Sequence, residues 1–379
     1  MSESRSKADV ASLAAAMERI APTRAAEDWD NVGLLAGDAA WPVRKVLLTI
    51  DMTAAVLDEA KRGRIDAVVS YHPPIFRAVK RMVPDRSQQE GLAAEALAHR
   101  IAIYSPHTAL DAAPGGTNDT LASLCGLRDL RPMTTIATGE PQCKLVVFVP
   151  VAQVEGVAEA IFAAGAGRIG EYEKCSYRLS GEGTFFGTDT TNPAIGKRGR
   201  LERVEEIRLE AVLPKRRVAD VTTAVRRSHP YEEPAFDVYP LEAVANEGIG
   251  SGRIGDFAKP VKVSAIAKAL ARKTGATNAM LIGGPGRNVK RGIVYVGAAG
   301  SMPFEIACDA CGEGDVVITG EVSHHSALRY QRCGAAVVAL GHWASERPAL
   351  RPLAVRLKRE QPDVEVSVSR ADRDPFARV

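Results

Sequence analysis

Ile65-Asp-Ala-Val-Val-Ser-Tyr-His-Pro-Pro-Ile-Phe76 carries a short apolar run that ends at a histidine. Ile65 to Ser70 reads as a buried strand, because it is nearly continuous in apolar residues instead of alternating. Upstream, Val43 to Ile50 is a second such strand, and Thr53 is placed to N-cap a helix through Ala60. Further back, Ala8 to Ile20 has apolar positions at helical spacing, ended by Pro22, and Asp28 to Leu35 is a turn entering a short strand. Downstream, Gln89 to Ala98 is a helix and Ile101 to Tyr104 a strand. Strands alternating with helices predict a mostly parallel or mixed sheet with helices packed on it, an α/β fold.

The pattern changes near residue 130. Lys144 to Pro150 is a strand, Val154 to Ala164 a helix, and Tyr177 to Phe186 and Glu205 to Val212 alternate like half-exposed antiparallel strands. Arg217 to Arg227 is a second helix, and His229-Pro-Tyr-Glu-Glu-Pro234 leads into a strand from Ala235 to Tyr239. This β-α-β-β-α-β order is that of a ferredoxin-like unit. After Gly248 the first pattern resumes. Helices are expected over Val263 to Lys273, Phe304 to Cys311, His324 to Cys333 and Ala344 to Arg359. Strands are expected over Arg291 to Val296, Val316 to Thr319 and Ala335 to Leu340. The reading is a discontinuous α/β domain, residues 1–130 and 248–379, interrupted by a ferredoxin-like insertion, residues 131–247.

The chain has 379 residues, enough for two domains, and a formal net charge of +3, too slight to mark a nucleic-acid surface. Its first ten residues are polar, unlike a secretory signal, and no apolar run reaches the ~18 residues of a membrane span. A soluble, cytoplasmic protein is expected. Six cysteines are too few for a disulfide scaffold. Cys308 and Cys311 form a C-x-x-C without a second pair nearby, which reads as helix packing rather than a zinc knuckle.

Of the seven histidines, His72, His107, His324, His325 and His342 each follow an apolar strand. Strands sharing a sheet and a direction would bring these segments to one edge, where open α/β sheets bind ligands. Asp111, Glu321 and Glu346 accompany them. A histidine and a carboxylate at i and i+4, as in His342 and Glu346, face the same way on a helix. A lone histidine after a strand is ordinarily a surface or capping residue; the concentration of five is what points to a metal. Mixed histidine and carboxylate donors favour zinc, iron, manganese or cobalt over calcium. The small-residue stretch Val296 to Ser301 follows a strand and precedes a helix, and reads either as a tight turn or as an anion-holding loop.

Seven segments now form a pattern: Glu27-Asp-Trp-Asp-Asn-Val-Gly33, Tyr71-His-Pro-Pro-Ile-Phe76, His107-Thr-Ala-Leu-Asp111, His229-Pro-Tyr-Glu-Glu-Pro234, Gly252-Arg-Ile-Gly255, Thr319-Gly-Glu-Val-Ser-His-His325 and Gly341-His-Trp-Ala-Ser-Glu-Arg347. In this order, over almost the whole chain, they resemble the Nif-three-like family of dinuclear-metal hexameric proteins, the type-two GTP cyclohydrolase I homologues. The resemblance implies a di-metal centre with His72, Asp111, His342 and Glu346 as ligands and Glu346 bridging. It also implies a PII/CutA-like inserted domain and a homohexamer. Glu321 and His325 match polar residues beside the metals, where proton transfer would be their role. His107, His324, Gly300 and Ser301 would line the substrate cleft.

One position departs from the pattern. Tyr71 stands where many bacterial members have a histidine, and Tyr-His-Pro-Pro-Ile-Phe is similar to the eukaryotic branch. Tyrosine is a poor zinc ligand at neutral pH, since its proton leaves near pH 10. Three functions fit these residues: a metal-dependent hydrolase of a nucleotide-like or other small phosphorylated substrate, a metal carrier, and a regulatory or protein-interaction module. The substitution at Tyr71 predicts one tight and one weak ion per chain. Metal analysis after dialysis should find a single retained ion, and two equally tight ions would count against it.

Overall fold

The computed structural model describes residues 8–137, 139–243, 248–303 and 311–377. Residues 304–310, with Cys308 and the helix expected there, lie outside the described residues. Contacts divide the chain into two compact units, Met1–Thr138 with Ala245–Val379, and Gly139–Val244. The division falls inside the 131 and 247 read from the sequence. Leu127–Arg131 and Thr134–Thr135 still pair with strands of the first unit, Arg253–Lys262 and Gly250–Ser251.

The strands of the first unit form two main sheets, where the sequence suggested one. The five-stranded sheet runs Gly33–Ala36, Ala102–Ser105, Ala67–Ser70, Lys45–Thr49, Glu365–Val368. Only its first strand is antiparallel to its neighbour. The six-stranded sheet runs Met280–Ile282, Ala336–Ala339, Asp315–Thr319, Asn288–Tyr295, Arg253–Lys262, Leu127–Arg131, with the second, third and fourth strands parallel. Periodicity reports that a strand is covered on both faces but carries no record of which strand lies beside it. The last strand of the chain closes the first sheet, and Leu127–Arg131, from before the insertion, closes the second.

Both sheets are covered on both faces, which explains their unbroken apolar runs. Val46, Leu48, Ala67 and Val69 pack with helices Val10–Ile20 and Leu350–Glu360. The alternate residues Leu47 and Val68 pack with helices Ala54–Gly63 and Gln89–Ala98. In the six-stranded sheet Val316, Ile318 and Val338 meet helices Thr117–Cys125 and Val263–Thr274, while Val317 and Val337 meet Tyr330 from His324–Arg332. Each fully buried Val, Leu or Ile contributes about 1.5–3 kcal/mol. Thr53 caps its helix as expected, its hydroxyl accepting the Val56 amide at 3.2 Å.

The helix expected from Ala344 to Arg359 is broken. His342–Glu346 is one short helix, Arg347–Ala349 a 3₁₀ turn, and Leu350–Glu360 a second helix. Pro348 sits in the turn, where it has no amide hydrogen to continue an α-helical ladder. The break leaves His342 and Glu346 on their own short segment.

The second unit is ferredoxin-like. Strands Phe236–Pro240, Gln142–Pro150, Leu201–Pro214 and Tyr177–Phe186 lie in that order, all antiparallel. Leu145, Val147, Leu209 and Ala211 pack against Val157, Ile161, Val221 and Val225 of helices Val154–Ala163 and Val218–Ser228. Among the described residues, no helix of the protein is long and apolar enough to cross a membrane.

Arg253 ties the first unit together. It is 2 % exposed. Its guanidinium donates to the Asp119 carboxylate at 2.9 Å, to the Gly250 and Gly252 carbonyls at 2.7 Å, and to the Ala112 and Ala113 carbonyls at 3.1 Å. Removing a buried cation strands the carboxylate and several carbonyls at once. Arg253→Ala should cost about 3–5 kcal/mol in urea unfolding; a loss under about 1 kcal/mol, the level of an exposed pair, would refute this role.

Candidate metal centre

The carboxyl ends of the two parallel strand sets meet a single cavity of about 550 Å³ in the first unit. His72 follows Ala67–Ser70, and its amide donates to the Ile50 carbonyl at 3.0 Å. His107 begins the short helix after Ala102–Ser105, and His342 the one after Ala336–Ala339. All three line the cavity with Asp111 and Glu346.

Each of these histidines has one ring nitrogen held by a carboxylate. His72 Nδ1 lies 2.9 Å from Asp51, His107 Nδ1 2.8 Å from Asp30, and His342 Nδ1 3.3 Å from Glu321. A carboxylate there fixes the tautomer with its proton on Nδ1 and leaves Nε2 as a donor lone pair. Nε2 of His72 and Nε2 of His342 both lie 3.3 Å from Glu346, one at each carboxylate oxygen. Donor atoms of His72, His342 and Glu346 all fall within 4.8 Å of one another, a group that could hold a metal ion.

Glu346 is 3 % exposed, and its buried Oε2 makes no hydrogen bond in good geometry. Burial pushes its carboxyl up, but His342 and His72 outweigh it and hold the pKa at about 2. Burial pulls His72 down, and the Asp51 hydrogen bond and the charge of the Glu346 carboxylate reverse this and raise it to about 10. His342 is likewise raised, burial being overcome by Glu346. The site therefore carries protons where a cation would sit. A buried anionic oxygen facing two imidazole nitrogens, with no donor of its own, fits a divalent metal.

Gly297, from the small-residue stretch, shapes the space. Its φ is +61°, its amide donates to Ser345 Oγ at 2.9 Å, and its carbonyl accepts the Glu321 amide at 2.8 Å. A Cβ there would overlap Glu346 Oε1 and approach His342 Nε2 to 3.3 Å. The stretch is a tight turn that clears room for the carboxylate. Ser301 lines the cavity; Gly300 is not among the lining residues, and its carbonyl accepts the Tyr330 hydroxyl.

Asp111 lies in the same cavity outside the tight group of three, and its Oδ1 accepts the Tyr71 hydroxyl at 2.5 Å. Burial raises the Asp111 carboxyl to about 6. Burial also lifts the Tyr71 phenol well above its ordinary range, with Asp111 and Glu346 adding to it. Tyr71 is thus a protonated donor to Asp111, not a phenolate ligand. Glu321 holds His342, which makes it an orienting group. His324 and His325 are exposed at a helix start capped by Ser323, stack edge to face at 5.6 Å, and do not line the cavity. Their helix leaves the sheet edge at once, so following a strand does not bring them in.

Asp30 and Asp51 escaped the sequence reading. Asp51 directly follows a strand, and Asp30 sits within a quoted motif, so both positions carried a signal. Asp30 also accepts the Thr108 amide at 3.1 Å and hydroxyl at 2.5 Å, and holds His107 at a φ of +23°, an unfavourable backbone for a non-glycine residue.

Fold and site together define an α/β protein with a carboxylate-braced histidine cleft and a ferredoxin-like insertion. The chain belongs to the Duf34/NIF3 (NGG1p interacting factor 3) family, whose profile matches residues 8–375. It is 35% identical over 365 residues to the GTP cyclohydrolase 1 type 2 homolog of Halalkalibacterium halodurans, covering 95% of this chain and 96% of that one. The Bacillus subtilis protein of the same description is 34% identical over 362 residues, 95% of each chain. The Bacillus cereus protein related to NIF3 superposes with a TM-score of 0.67 at 31% identity, covering 99% of this chain and 100% of that chain. Staphylococcus aureus protein SA1388 shares the fold, with a TM-score of 0.79 at 23% identity over 98% of this chain and 99% of that chain.

Gly297→Ala should displace the Glu346 carboxylate and strain a left-handed backbone, a combined cost of about 2–4 kcal/mol. Chemical denaturation of the metal-free protein checks it. A variant as stable as the parent would show that the carboxylate is not confined there.

Proposed function

We propose that this protein is a metal-dependent hydrolase acting on a nucleotide-like or other small phosphorylated substrate. The observation that carries the reading is the buried Glu346 carboxylate between His72 Nε2 and His342 Nε2, each histidine braced by its own carboxylate. The relatives named as GTP cyclohydrolase 1 type 2 homologs support the nucleotide-like substrate. The homohexamer implied by the family likeness belongs to the same proposal.

His72, His342 and Glu346 would hold a divalent transition metal such as zinc, iron, manganese or cobalt. When bound, such an ion acts as a Lewis acid and brings the pKa of a water near 7. Asp51 and Glu321 keep the two imidazoles in the donor tautomer. Asp111 is the carboxylate left for a second ion, and the Tyr71 hydrogen bond occupies one of its oxygens, which makes that site the weaker. His107 is the cavity residue suited to move a proton. Asp30 holds its Nδ1, so its Nε2 can accept from a water or donate to a leaving group. This role replaces the one suggested for His325, which is exposed, and for Glu321, which is engaged with His342.

Metal binding must displace the protons that Glu346 retains on the histidines. His72 titrates near 10 in the metal-free protein, so affinity for the ion falls as pH falls below that value. Loading at pH 8 should release about one to two protons per chain, read with an indicator in weak buffer, and His72→Ala should lower the count by about one. Asp51→Ala should weaken the ion about 10–100-fold. Turnover of a nucleotide panel by loaded protein, lost with chelator and with Glu346→Ala, would support hydrolysis. Tight metal without turnover of any phosphorylated substrate would leave a carrier in its place.

A further inference from the structure

A second cavity is lined by residues of the ferredoxin-like unit. It has a volume of about 730 Å³, within the ordinary range for small-molecule sites. Its floor is Glu206, on the strand Leu201–Pro214, and its walls include Phe148, Phe185 and Tyr231.

Glu206 is 9 % exposed. Its Oε1 accepts the Tyr231 hydroxyl at 3.0 Å. Among the described residues no Lys, Arg or His forms an ion pair with it. The neighbouring cation, Arg208, also lines the cavity, but its guanidinium lies over the Phe148 ring at 5.6 Å and its Nε donates to Glu210 at 2.8 Å, so it forms no ion pair with Glu206. The Glu182 carboxylate in the wall already meets Arg203, and Glu232 accepts the Asn192 amide. A carboxylate this deeply buried is costly unless a positive charge joins it.

The surroundings are built to hold that carboxylate open. Gly183 sits where any Cβ would overlap Glu206 Oε2, so the strand Tyr177–Phe186 yields its own side-chain space to the carboxylate. Tyr231 is fixed by His229, which lies in the motif His229-Pro-Tyr-Glu-Glu-Pro234. His229 Nδ1 accepts the Tyr231 amide at 3.1 Å, and its Nε2 donates to the Phe148 carbonyl at 2.9 Å. One neutral histidine thereby pins Tyr231 and the Phe148 backbone. The Phe185 ring closes on Tyr231 at 6.1 Å. Rings around a buried carboxylate form a site selective for a cation, because ring faces and the anion both attract positive charge while the apolar walls disfavour hydrated metal ions.

We propose that this cavity binds an organic cation, an ammonium or guanidinium group carried on an apolar body, with Glu206 as its counter-ion and the Phe185 and Tyr231 rings as its aromatic walls. The cation comes either from a free small molecule or from a Lys or Arg of a second copy of the chain. The chemistry is the same, and the test separates the sources. It does not depend on the metal centre.

The full chain is titrated calorimetrically with phenethylamine and with its neutral counterpart, 2-phenylethanol. The amine should bind at least about tenfold more tightly, as expected for a charge-assisted contact. Glu206→Gln, which keeps the Tyr231 hydrogen bond, should abolish that preference. Phe185→Ala should weaken both ligands. Sedimentation velocity is run in parallel on the parent and on Glu206→Gln. If the parent's assembly is unchanged by the substitution and the amine binds, the cation is a free ligand. If Glu206→Gln dissociates the assembly and the amine competes with it, the cation belongs to a second copy. Equal binding of amine and alcohol, an unaltered preference in Glu206→Gln, or no amine binding together with an unaltered assembly overturns the proposal.

Discussion

A carboxylate shut away from water must keep positive charge beside it, and among the described residues Glu346 meets that demand with two imidazoles. The geometry of the cleft follows. His72 and His342 arrive from different sheets and can share one anion only if the two strand edges converge. Gly297 must lack a side chain, or the anion has no place to lie. Pro348 must interrupt the helix, so that the short segment bearing His342 and Glu346 is not drawn into the helix behind it.

The outer carboxylates extend the same logic. Asp51, Asp30 and Glu321 each meet an Nδ1, so charge alternates from carboxylate to imidazole to the cavity. Such braces orient a ring and raise its basicity. Asp111 and Tyr71 form a separate pair sharing one short hydrogen bond, which keeps that side of the cleft less charged. The cleft is thus uneven, strongly basic around Glu346 and nearer neutral around Asp111.

Much of this was legible in the residues. Strands such as Ala67–Ser70 and Asp315–Thr319 declare themselves by uninterrupted apolar runs, and the β-α-β-β-α-β order of the insertion reads directly from its periodicities. His72, His107, Asp111, His342 and Glu346 stand out by type and position and do share one cavity. Other features were hidden for physical reasons. Arg253–Lys262 and Leu127–Arg131 are too polar to look like strands; the second lies at the edge of the sheet, and the first is exposed over its later half. Pairing partners leave no trace in a single chain, so two sheets looked like one. His324 and His325 resemble the cleft histidines in their spacing, but direction after a strand is decided by the turn, and Ser323 sends them into solvent. Asp30 and Asp51 were passed over because a carboxylate that braces a histidine has no spacing rule of its own.

The exchange of outermost strands has a mechanical meaning. Glu365–Val368, from the far end of the chain, completes the sheet begun by the first residues, and Leu127–Arg131 completes the sheet built by the later ones. The two layers are therefore mortised together with no seam running through the cleft. Levering them apart would require peeling a strand off each, so the cleft, with the exposed rings of Trp29 and Phe76 among its lining, is framed by layers that are stitched to each other like the two halves of a hem.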